Sequence, residues 1–304
     1  MQRNKHAFRV NSKLASSLCE DIFHFASLTL GSVQEYTTKS SGILADVASL
    51  FFVQLRAKQA NSRDKFLYDI ESTCAAANDY LRMTENSELL MSEIKEKCKS
   101  HDGVESMLDE CLTDLIALFS KDAIYAAQYT HAFVFTSISE AIEAKIFSTD
   151  WEKSDGKFFV EVIIKTMDDY SVDLEKWLNP FLYKKSIQAL IMATCVFLVE
   201  CLVEKAGKHK SNIKPYFSDI DAATGRFKED ITILRDHFDN LSANMTSLTK
   251  IIDQEFEILE ALSRCLVFFS EQKERGFTVI EKDILLIYSD ICDKSIVMNL
   301  VGDM

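Results

Sequence analysis

Three aspartates fall within the six residues DDYSVD, at Asp168, Asp169 and Asp173. Carboxylates gathered on one helix face can hold Mg²⁺ against a diphosphate, because Mg²⁺ demands hard oxygen ligands. The spacing is DDxxxD, and no second motif matches it elsewhere in the chain. The segment ANDYLRMTE, residues 77–85, looks superficially similar, but Arg82 stands where a small ligand would be wanted. A solvated helix face in an acidic protein gives the same letters without any metal.

Other chemistries have less to stand on. Cys98 and His101 are three apart with no partner pair at zinc spacing. His24 in IFHFA and His131 in YTHAFVF have apolar neighbours and read as core or boundary residues. There is no G-x-S-x-G, no H-E-x-x-H and no glycine-rich phosphate loop. Eight scattered glycines give little material for a phosphate cradle. No catalytic residue and no cofactor are expected. One basic cluster interrupts the acidic background: Lys205, Lys208, His209, Lys210 and Lys214. Such a segment can meet anionic headgroups, at about 1 kcal/mol per lysine near the surface, or an acidic partner. Plain solubility of an exposed loop explains it as well.

The elements that must carry these residues are helices. Two prolines and eight glycines in 304 residues are too few for the many tight turns of a β-rich chain of this length. Acids outnumber bases 47 to 34, a formal charge of −13, and that field repels phosphate backbones, so nucleic-acid binding is not expected. Eight dispersed cysteines without a C-x-x-C pair read as small buried hydrophobes in a reducing compartment. The basic N-terminus, MQRNKHAFRVNSK, is not followed by a secretory apolar region and reads as a solvated helix start.

Helical periodicity runs from Lys13 to about Arg56, from about Asp64 to Lys97, and from about Val104 to Ile146 with a bend near Ser120. CKSHDG at 98–103 reads as a turn, and STDWEKSDG at 148–156 as the strongest break and a sub-domain boundary. A helix over Phe158–Trp177 follows, and Asn179-Pro180 starts the next. That helix contains SIQALIMATCVFLV, fourteen uncharged residues between Lys185 and Glu200. Fourteen residues span roughly 21 Å, short of a bilayer core of about 30 Å, so the stretch is expected to be buried in a soluble protein. It runs to about Lys205, the loop AGKHKSNIK follows, and Pro215 opens the next segment. From Phe227 an a/d seam continues through Ile231, Leu234, Phe238, Leu241, Met245, Leu248 and Ile252 to Phe256, Leu259, Leu262 and Leu266, with LSAN at 241–244 as a short turn. Gly276 breaks it, and Phe277–Ile296 reads as a last helix. The expectation is an all-α protein of roughly eight to ten long helices in antiparallel bundles, one over residues 1–150 and one over 157–304.

Three stretches carry a family resemblance: FLYDIESTCAAANDYL at 66–81, LEKWLNPFLYKKSIQALIMATCVFLVECLVEK at 174–205 and RFKEDITILRDHF at 226–238. Together they resemble the C-terminal helical region of the Sec-six subunit of the exocyst, a vesicle-tethering complex. Asp230, Ile231, Leu234 and Phe238 follow the last pattern. Ser72-Thr73 replaces the family's asparagine pair, and His237-Phe238 its double aromatic. Family members are longer, which implies a fragment or a shortened relative. The resemblance implies an elongated rod of stacked antiparallel helical bundles, without catalysis. Its expected partners are other exocyst subunits and SNARE proteins, with peripheral contact to anionic membrane, in the cytoplasm beside the plasma membrane or secretory vesicles. The alternatives are a MUN-like helical SNARE regulator and an enzyme similar to all-α isoprenoid synthases. The synthase reading would use Asp168, Asp169 and Asp173, spaced one residue longer than the usual synthase motif.

Overall fold

A computed structural model describes residues 50, 69–97, 104–153, 157–208, 217 and 219–272, with some side chains inside these ranges excepted. The described residues form seven α-helices: α1 Ile70–Lys97, α2 Val104–Ile138, α3 Thr149–Lys153, α4 Lys157–Trp177, α5 Pro180–Lys208, α6 Ile220–Leu241 and α7 Thr249–Gln272. No strand occurs among them. The expected helices over Lys13–Arg56 (Leu50 apart) and Phe277–Ile296, the CKSHDG turn and Pro215 lie outside the described residues.

The chain divides into two compact units. The first combines the described residues up to Phe133 with Ser171–Ser186, and the second combines the described residues of Val134–Tyr170 with those from Ile187 onward. Helices α2, α4 and α5 therefore each supply residues to both.

Helix starts follow local chemistry. The first four amides of any helix lack intrahelical acceptors, and small polar side chains supply them here. Asp69 Oδ1 accepts the Ser72 amide at 2.8 Å ahead of α1. Asn179 Oδ1 accepts the Phe181 amide at 2.9 Å ahead of α5, with Pro180 in the first turn where its missing N–H costs nothing. Asp219, in extended conformation, caps α6 by accepting from Asp221 and Ala222 at 3.1 and 3.0 Å.

In the first unit the core includes Cys74, Ala75, Ala77, Leu115, Phe119 and Leu182. Asn78 fastens α1 to the α4–α5 corner: its Nδ2 donates to the Trp177 carbonyl at 2.7 Å, and its Oδ1 accepts the Asn179 amide at 3.0 Å. A buried hydroxyl pair, Thr130 and Ser186 at 2.5 Å, joins α2 to α5.

In the second unit the a/d seam builds the α6–α7 hairpin. Phe227, Ile231, Leu234 and Phe238 are buried on α6, and Ile252, Phe256, Leu259 and Leu262 on α7. The Phe238 and Phe256 rings meet edge-on at 6.0 Å. The seam is interrupted at residues 242–248, where turns reverse the chain, and Met245 is only half-buried there. The serine and asparagines around Leu241 favour such turns. Arg235 of α6 braces the hairpin on its polar side, reaching Glu260 at 2.7 Å and also pairing with Asp253.

Helix α5 corrects one expectation. The count from Lys185 to Glu200 understates its apolar length: Pro180–Leu202, 23 residues, is long and apolar enough to cross a membrane by length and composition. Burial distinguishes it. Two thirds of its most apolar window is covered by the rest of the chain (67%), and Ile187, Leu190, Ile191, Thr194, Leu198 and Leu202 are fully enclosed. Thr194 donates its hydroxyl back to the Leu190 carbonyl at 2.8 Å, so even its polar atom is satisfied inside the helix. Met192 and Val196 form a narrow exposed stripe. A helix covered on most of its circumference is a core helix of a globular unit.

The end of α2 is the least regular part. The helix runs unbroken through Ser120. It widens into a π turn at Ser139–Glu143 and then reverses through residues 144–148. Phe147 takes a positive φ of 57°, which disfavours a bulky side chain. Its ring is held against Trp151 at 4.9 Å and Phe227 at 5.6 Å, and this packing offsets the backbone cost.

Candidate functional site

The aspartates of DDYSVD sit on α4, where successive residues turn by about 100°. Asp168 and Asp169 are exposed and Asp173 is half-buried. The Asp168 carboxylate faces His237 of α6 at 3.7 Å. Burial lowers the His237 pKa, and Asp168 works against that shift. Among the described residues, no three His, Cys, Asp or Glu side chains are grouped so as to hold a metal ion. Two of the buried thiols offer no nucleophile either. Burial pushes both Cys74 and Cys195 up, with Cys195 reaching about 12, so neither forms a thiolate near neutral pH.

Of the basic cluster, Lys205 and Lys208 fall in the last turns of α5. His209, Lys210 and Lys214 lie outside the described residues.

The most elaborate polar arrangement is one the sequence reading passed over. STDWEKSDG reads as a break, yet Ser148 caps a five-residue helix there. Its Oγ accepts the Asp150 and Trp151 amides at 3.2 and 3.4 Å. This helix, α3, drives Trp151 into an enclosed aromatic cluster, its indole against Phe147 and Phe217 and Phe147 in turn against Phe227. The indole Nε1 donates to Asp230 Oδ2 of α6 at 2.9 Å. The neighbouring Glu152 accepts the Asp219 amide at the α6 N-terminus. The signal available in the sequence was a lone tryptophan in an otherwise polar linker, a residue that rarely stays in water.

These features define a class: an all-helical protein whose polar clusters join helices. The fold is similar to the crystal structure of the C-terminal domain of the exocyst subunit Sec6p, with a TM-score of 0.71 and 17% sequence identity over 94% of this chain and 72% of that one. The family profile described as exocyst complex component Sec6 matches residues 51–300. The chain belongs to this family. A sequence comparison with curated proteins gave no match. Membership implies a non-catalytic, vesicle-tethering role in exocytosis, in a cytoplasmic, membrane-associated complex whose other subunits are its partners. The synthase-like reading of Asp168, Asp169 and Asp173 gives way to it.

Proposed function

We propose that this chain is a tethering subunit that binds SNARE proteins as well as other exocyst subunits, and that its basic segment contacts anionic membrane. The observation that carries the tethering part is the family match across residues 51–300. The basic segment adds a charge argument. Lys205, Lys208, Lys210 and Lys214 lie within ten residues, in a chain whose net charge of −13 would otherwise repel an anionic surface. Four lysines near such a surface contribute up to about 4 kcal/mol at low ionic strength. Apolar surface on α5, at Met192 and Val196, is available for helix packing with a partner.

Two experiments separate the parts. Vesicle flotation with phosphatidylserine-containing liposomes is expected to show salt-sensitive binding. The variant K205E/K208E/K210E/K214E should weaken it more than tenfold. Equal flotation of both proteins sinks the lipid contact. Capture of purified SNARE helical segments by the chain, read by calorimetry, tests the second part, and no heat at high micromolar concentration would sink it.

A further inference from the structure

The α3–α6 contact contains a buried acid whose surroundings suit it poorly as an anion. Asp230 is only 3% exposed. Its Oδ2 has one donor, the Trp151 indole at 2.9 Å. Its Oδ1 makes no hydrogen bond among the described residues and faces the Arg226 Nε at 3.9 Å, beyond hydrogen-bond range. A water-exposed carboxylate is surrounded by several donors, so one donor and one distant cation leave this anion under-solvated. Glu229, next along α6, repels the anion. From α3, Glu152 is taken up by the Asp219 amide.

We propose that Asp230 makes this contact a proton-responsive latch. The neutral carboxyl is the form this dry site holds best, with the indole N–H of Trp151 on its Oδ2, and loss of the proton leaves an under-solvated anion that loosens α3 from α6. The Trp151 bond strengthens when its acceptor is charged, but burial outweighs that gain. The proton passes from the carboxyl to solvent and no other covalent bond changes. Burial pushes the carboxyl up to about 7, against the opposing pull of the Trp151 bond and Arg226 and with the help of Glu229. The change therefore falls near neutral pH, where a modest local rise in pH opens the contact and a fall closes it. The consequence is positional: α3 also anchors the α6 N-terminus through Glu152, so a loosened α3 frees the start of the α6–α7 hairpin.

Trp151 reports on its own latch. The chain has two tryptophans, so Trp177→Phe leaves Trp151 as the only indole. In that background the emission of Trp151 and its quenching by acrylamide are followed from pH 5.5 to 8.5. The latch predicts a single titration with a midpoint near 7 and greater quenching on the alkaline side. Asp230→Asn should abolish the titration. Glu229→Gln, an exposed change that leaves the core intact, should move the midpoint down, because Glu229 raises it. A flat profile in the Trp177→Phe protein overturns the proposal. So does a midpoint unmoved by Glu229→Gln, or a titration that survives in a folded Asp230→Asn protein.

Discussion

Replacing Trp151 with alanine should lower the stability of the chain by about 3–5 kcal/mol, measured by denaturant unfolding. The side chain is fully enclosed and packs on two aromatic rings, Phe147 and Phe217, with Phe227 against Phe147 in turn. Its loss empties the box that holds Phe147 at a φ of 57°, so the backbone cost there is no longer offset by packing. It also removes the one donor to the buried Asp230 carboxylate, which is then left as a buried anion without a hydrogen bond. Trp151→Phe separates the two contributions. It keeps most of the ring volume and loses the N–H, and should cost about 1–3 kcal/mol. That cost should be larger at pH 8 than at pH 5.5. The folded Asp230 pKa of about 7 lies above the unfolded value, so the penalty of holding the anion is absent in acid and complete above pH 7. A Phe variant equally destabilised at both pH values would show that the indole N–H is not supporting an ionised Asp230.

Asn78→Ala is the second large effect, with an expected loss of about 2–4 kcal/mol. The amide spans two backbone groups of the α4–α5 corner, the Trp177 carbonyl at 2.7 Å and the Asn179 amide at 3.0 Å. Asn78 is itself 5% exposed, so water does not readily replace either bond. Asn78→Asp makes the argument sharper. A carboxylate still accepts from Asn179 but turns an oxygen toward the Trp177 carbonyl, so it should be no better than alanine at neutral pH. An aspartate variant as stable as the native chain would contradict the two-bond account.

What could be read in the sequence was burial and local capping. The steps of four and three from Phe227 to Ile252 are a burial pattern, and the structure buries Phe227, Ile231, Leu234, Phe238, Leu248 and Ile252 accordingly. Asn179-Pro180 and Ser148 act through neighbours two or three residues away, so their signals were local as well. The Trp151–Asp230 bond joins residues 79 apart, and the Asn78 clamp joins residues 99 and 101 apart. Nothing in the spacing of STDWEKSDG or ANDYLRMTE marks such partners. The same polar letters that suggested a break and a weak metal motif turned out to be tertiary fasteners. Asp168 shows the limit from the other side: its charge was legible, but its neighbour His237, brought in by α6, was not. Membership in a tethering family rested on apolar and polar order across three long segments, and the family match extends over them.

The measurement that tests the central claim most directly is affinity capture of the tagged chain from its own cells, with the bound proteins identified and their stoichiometry quantified. Family membership predicts recovery of the other exocyst subunits in fixed ratio, retained through washes at physiological salt. Capture that is reproducibly free of exocyst subunits, from a chain shown to be folded by its helical circular dichroism, would contradict it.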